Sequence, residues 1–98
     1  MTNIIKIDCR NFSQLSDFTS ALKDAIGAPL HHGASIDSFI DSMVFGGMND
    51  IEPPYFIEIK NIKQINQDLS YKITEFLACI VDAASQVGKS DFLKIRIS

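Results

Sequence analysis

The hydrophobic period of this chain switches repeatedly between two residues and about 3.6, and that alternation limits the folds open to it. Asn3 to Cys9 reads as a strand, with Ile5, Ile7 and Cys9 alternating against Ile4, Lys6 and Asp8. A helix is predicted next. Ser13 is its N-cap, Asp17 lies near the positive end of its dipole, and Leu15, Phe18, Leu22, Ala25 and Ile26 share one face. Gly27 and Pro29 stop it. Ser35 then caps a second predicted helix, with Ile36, Phe39, Ile40, Met43 and Val44 as its packed face and Gly46-Gly47 as its end. Tyr55 to Lys60, aromatic and β-branched, is the second strand. Ile62 to Gln67 reads as a short helical turn. From Asp68, the positions Leu69, Ile73, Phe76, Leu77, Ile80 and Ala84 mark a longer helix that Gly88 ends. Phe92 to Ile97 closes the chain as a strand.

Strands separated by helices favour parallel pairing through right-handed crossovers. The expected fold class is therefore α/β: a three-stranded parallel sheet packed against three to four helices. Ninety-eight residues suffice for one domain, residues 1–98, and not for two. The longest strongly apolar run, Phe76 to Val81, falls far short of the ~20 residues that span a bilayer. Lys6 and Asp8 interrupt any amino-terminal signal stretch. The expectation is a cytoplasmic protein with no membrane partner. Cys9 and Cys79 both lie in apolar stretches without ligand spacing and are read as buried small hydrophobes.

Charge is distributed unevenly. The net charge is −3, which argues against direct nucleic-acid binding, since that affinity rests on Lys and Arg neutralising phosphates. Between Lys23 and Lys60 there is no Lys or Arg, while Asp24, Asp37, Asp41, Asp50, Glu52 and Glu58 all fall there. One half of the molecule is expected to present an acidic face. Asp37 and Asp41, four residues apart on the second helix, lie side by side next to its apolar stripe. Like charges at this spacing cost a few tenths of a kcal/mol, and only Asp37 sits where the dipole offsets that. They read either as a solvated face or as a carboxylate pair aimed at a cationic partner.

Other chemistries find little support. Adjacent His31 and His32 point in different directions, and no Cys, His or Glu spacing completes a metal site; no metal and no cofactor are expected. There is no nucleophile elbow, neither Cys is flanked by activating charge, and Gly46-Gly47 lacks the spacing of a phosphate-binding loop. Asp41 with His31 could do acid–base work only in a pocket that so small a domain has little room for. The protein is not expected to be an enzyme.

The segment from Leu22 to Met43 contains a helix ending at a Pro turn, then His31-His32-Gly33, the polar Ser35, and Ile36-Asp37, Phe39 and Asp41. In this order it resembles the barstar family, intracellular inhibitors of barnase-type ribonucleases. Elsewhere the resemblance is one of element order and length. It implies a barstar-like fold whose second helix and preceding loop plug a ribonuclease active site. Asp41 would match the family's central carboxylate, which takes the place of the substrate phosphate among catalytic Arg, Lys and His. Asp37 would be the flanking carboxylate, Ser35 a polar contact at the helix start, and His31, with His32 beside it, the stacking position. Val44 and Phe45 would lie at the edge of the contact.

The resemblance thus implies an immunity protein for a bacterial ribonuclease toxin, as in toxin–antitoxin systems, monomeric when free. The chain departs from the family in several places. His31 stands where Tyr is usual, Ile40 where the family's prototype has Trp, and Ala83-Ala84 where that prototype carries a peripheral Glu. The Phe45–Pro54 loop is a few residues longer and brings Asp50 and Glu52. The alternative reading is a regulatory module of the same fold with a non-nuclease protein partner.

Overall fold

The computed structural model describes residues 2–98. The elements run β1 (Asn3–Asp8), α1 (Leu15–Ile26), α2 (Ile36–Ile40), β2 (Tyr55–Lys60), α3 (Gln67–Gln86) and β3 (Leu93–Ile97). A π-helical turn, Asp41–Phe45, prolongs α2, and 3₁₀ turns at Ile62–Gln64 and Ser90–Phe92 precede α3 and β3. The three strands form one sheet in the order β1-β2-β3, parallel throughout. This is the expected α/β fold.

The register puts Ile5, Ile57 and Ile95 in one row and Ile7, Ile59 and Ile97 in the next. Because side chains alternate along each strand, these rows and the Asn3–Tyr55–Leu93 row face the helices. Against them α1 buries Phe18, Leu22 and Ile26, and α3 buries Leu69, Ile73, Phe76, Leu77, Ile80 and Ala84. The opposite sheet face carries Ile4, Lys6, Asp8, Phe56, Glu58, Lys60, Lys94 and Arg96. Glu58 stands in register between Lys6 and Arg96, so this acid belongs to the open sheet face and not to the α2 side.

Aromatic rings carry the core outward to α2. Phe18 meets Phe76 edge-on at 5.9 Å, Phe76 meets Phe39 of α2 edge-on at 5.5 Å, and Phe39 lies 4.7 Å from the His32 ring. Such edge-to-face pairs fix orientation as well as burying area. The loop before α2 is thereby keyed into the core.

Two local expectations are corrected. The N-cap of α1 is Gln14, because Asp17 turns back to accept hydrogen bonds from the Ser13 and Gln14 N–H groups and from the Ser13 hydroxyl. Cys79 is exposed: it lies about 100° around α3 from the buried Ile80 and points outward. Cys9 is buried as expected, and both thiols are free. Among the described residues, no helix is long and apolar enough to cross a membrane.

Candidate functional site

The site is built from the end of α1, the loop 28–35, α2 and its π-helical extension. Gly27 ends α1 in the left-handed conformation (φ 65°), and the Ala28 N–H returns to the Lys23 carbonyl at 2.9 Å. The His32 N–H then donates to the Pro29 carbonyl, closing a turn that leaves Leu30 and His31 exposed. Lys23 Nζ reaches the His32 carbonyl at 3.4 Å from the other side.

His32 itself turns inward. The residue is only 4% exposed, with Nδ1 2.6 Å from the Gly33 carbonyl and Nε2 2.8 Å from Ser42 Oγ. A carbonyl oxygen only accepts, so Nδ1 carries a proton; the Ser42 hydroxyl can give or take at Nε2. At Gly33 a Cβ would sit 2.6 Å from Ser38 Oγ, so any larger residue there would make that hydroxyl turn away. Ser35 caps α2, its Oγ accepting from the Ser38 N–H at 3.2 Å.

After Ile40 the helix widens to a π turn, and three consecutive residues, Ser42, Met43 and Val44, are buried. At 100° per residue, three successive α-helical side chains fan over 200° and would not normally all reach one core. The π turn accommodates this while Asp41 and Phe45, its first and last residues, stay exposed. Lys89, from the segment before β3, approaches Phe45 from behind. Its Nζ is 5.1 Å from the Phe45 ring, 5.3 Å from the Phe92 ring and 3.5 Å from the Val44 carbonyl, where it faces the negative end of the helix.

Of the residues singled out from sequence, the structure leaves Ser35, Asp37, Asp41, His31 and Phe45 exposed along one continuous segment. His32 and Val44 are corrections. His32 is held inside by Ser42 and Phe39, and Val44 is fully buried, so neither offers its side chain to a partner. Among the described residues, Asp37 and Asp41 have no ion-pair or hydrogen-bond partner for their carboxylates. The two ion pairs found, Arg10–Asp8 and Lys94–Asp91, lie elsewhere. No group of three or more His, Cys, Asp or Glu side chains among the described residues is arranged to hold a metal.

This is a helix offering two free carboxylates from a surface segment without cations of its own, on a three-stranded parallel scaffold. A family model described as Barstar (barnase inhibitor) matches residues 2–97, essentially the whole chain. The chain belongs to the barstar family. Barstar-family proteins inhibit a ribonuclease by binding it and are not themselves enzymes. A search of curated proteins finds no match to the chain.

Sequence reasoning missed two structural contributors to this candidate site. Ser42 reads as a polar residue beside an apolar helix face, and nothing local points it to His32, ten positions earlier. Lys89 lies 44 positions from Phe45, and no local signal joins them.

Proposed function

We propose that this chain is the immunity protein of a bacterial ribonuclease toxin and plugs the enzyme's active site with α2 and the loop before it. The observation that carries this reading is the pair Asp37 and Asp41, exposed and unpaired on a family scaffold whose role is ribonuclease inhibition. A carboxylate accepts paired hydrogen bonds from an Arg guanidinium in the geometry of a phosphate, so Asp41 is suited to the place of a substrate phosphate among cationic catalytic groups. Asp37 flanks it, and Ser35 and His31 extend the contact toward the loop. Phe45 borders it at the far end.

The stretch without Lys or Arg also draws a basic enzyme in, an effect for which barnase with barstar is the standard example and which weakens with salt. The free protein acts as a cytoplasmic monomer, and the complex buries roughly 800 Å² on each side.

The test begins with a pull-down of the tagged protein from its host. The expected catch is a basic protein whose RNA-degrading activity disappears on adding this chain. Asp41→Ala should weaken inhibition by about 2 kcal/mol or more, roughly thirtyfold. A loss under about tenfold would sink the plug mechanism. Capture of a partner without nuclease activity would instead establish the regulatory role.

A further inference from the structure

The sheet face turned away from the helices holds a cleft of about 380 Å³ lined by Glu58, Lys60, Asn61, Arg96 and Ser98. Strand register explains why these residues meet. Glu58 and Arg96 are direct partners across β2 and β3, so their backbones lie about 4.8 Å apart. Lys60 stands two residues beyond Glu58 on the same face, about 7 Å along the strand. The far wall is fixed. Asn61 takes the left-handed conformation (φ 62°) as the chain leaves β2; its Nδ2 donates to Asp8 Oδ1 at 2.9 Å and its Oδ1 accepts from Gln64 Nε2 at 3.1 Å. The Ser98 carbonyl accepts from the Ile62 N–H at 3.2 Å.

The cations of this cleft are not neutralised within the chain. Asp8 is the register partner of Lys60, yet its carboxylate is taken by the Arg10 guanidinium at 2.9 Å, by the Arg10 N–H and by Asn61. Glu58 stands between Lys6 and Arg96 and forms an ion pair with neither. Among the described residues, the side chains of Lys60 and Arg96 therefore have no ion-pair partner. A lone surface lysine calls for no ligand. Here a guanidinium, an ammonium, a pinned amide and a hydroxyl line one concavity, where two cations outweigh one acid.

We propose that this cleft binds a phosphate monoester that also carries hydroxyl groups, of the size of a sugar phosphate or a nucleoside monophosphate. The guanidinium fork of Arg96 matches phosphate oxygens two at a time, and Lys60 adds a point charge. One Asn61 N–H is spent on Asp8, which leaves the second to donate. Glu58 sets the rest of the ligand: a carboxylate only accepts, so it repels a bare oxyanion and holds a hydroxyl. The half-buried Phe56, two residues before Glu58 on the same face, offers its ring to a flat base. The volume falls within the range of small-molecule sites. The cleft is separate from α2, whose Phe39 packs on Phe76 in the helix layer, and it rests on no reading of the ribonuclease contact.

The experiment titrates the full chain with inorganic phosphate, ribose phosphate, a nucleoside monophosphate and the unphosphorylated nucleoside, following backbone amide shifts by NMR. Shifts should cluster at Glu58, Asn61 and Arg96. Both esters should bind more tightly than inorganic phosphate, and the bare nucleoside not at all. Arg96→Gln and Lys60→Gln should each weaken ester binding by roughly tenfold. Glu58→Gln should tighten inorganic phosphate and narrow the advantage of the esters. Lys60 and Arg96 are exposed and unpaired, so thermal melts should be unchanged and a folding defect cannot mimic the loss. Tighter binding of the nucleotide than of the sugar phosphate assigns the base to Phe56, equal binding assigns a sugar phosphate, and both results support the site. Inorganic phosphate bound as well as the esters, or an Arg96→Gln variant that binds unchanged, would overturn the proposal. So would the absence of saturable shifts at about 10 mM ligand, beyond the range of a specific site.

Discussion

Replacing Ser42 by Ala tests whether the His32–Ser42 contact holds the loop 28–35 to the helix. The hydroxyl is 2.8 Å from His32 Nε2, in a place where His32 is 4% exposed and its ring is packed against Phe39. Water has little access to that nitrogen, so removing its partner costs the desolvation of a buried polar atom, about 1–3 kcal/mol. The methyl left behind creates almost no cavity. For a domain of this size each kcal/mol moves Tm by roughly 4–8 °C, so a mid-range cost of ~2 kcal/mol lowers Tm by about 8–16 °C. Urea unfolding followed by circular dichroism should show the midpoint falling with the slope unchanged. His32→Phe keeps a ring against Phe39 and removes both nitrogens; the Gly33 carbonyl loses its donor whether or not Ser42 is present, so that cost cancels in the cycle, and in the double variant no half of the His32–Ser42 pair is left unpaired. The cycle should therefore return a favourable coupling of about 1–2 kcal/mol. A Ser42→Ala cost below about 0.5 kcal/mol, or a strictly additive cycle, would refute the argument that this pair anchors the loop.

Two further predictions concern titratable groups. Burial, and then the charge of Asp8, push the Cys9 thiol up to about 11, whereas Cys79 is exposed. A thiol reagent at pH 8 should label one cysteine quickly in the native protein and both in denaturant; equal native rates would contradict the buried placement of Cys9. The N–H groups of Ser13 and Gln14 hold the Asp17 carboxyl below its ordinary value, so the folded state keeps this charge to lower pH than the unfolded state does. Its contribution is complete above about pH 4 and is lost as pH falls through the lower folded value; Asp17→Asn should flatten that acid limb, and an unchanged limb would reject the capping role.

Much of the fold was legible because the apolar period and the glycine stops agree. The in-register rows of isoleucine are what strict alternation in β1 and β3 demands. Local side-chain direction was harder to read. Residue type alone puts Cys79 inside, although its angle relative to Ile80 points it outward. For Val44 periodicity gives the packed face of α2 and the resemblance gives the contact edge, and its side chain is fully buried. For the adjacent histidines no periodicity applies. His32 goes inward because Phe39 and Ser42, three residues apart on the helix, receive it. The widening of the helix over Asp41–Phe45 has no sequence signature of its own, since Ser42, Met43 and Val44 become a buried run only when seen against α3 and the sheet.

The acids of this chain also separate into two kinds once their surroundings are known. Asp8 bonds Asn61 and Arg10, and Asp17 gathers the N–H groups ahead of α1. Those carboxylates do structural work. Asp37 and Asp41 repel each other across one helical turn at a cost of a few tenths of a kcal/mol, and only Asp37 has the helix start to offset it. Among the described residues, no ion pair or hydrogen bond to the Asp41 carboxylate recovers the remainder. Asp41→Ala should therefore leave the unfolding midpoint unchanged or slightly raised while inhibition collapses, and added salt should shrink that small stability difference. A clear drop in stability would mean that Asp41 holds the fold together, and its exposure without a partner would then not be what fits it to a cationic cleft.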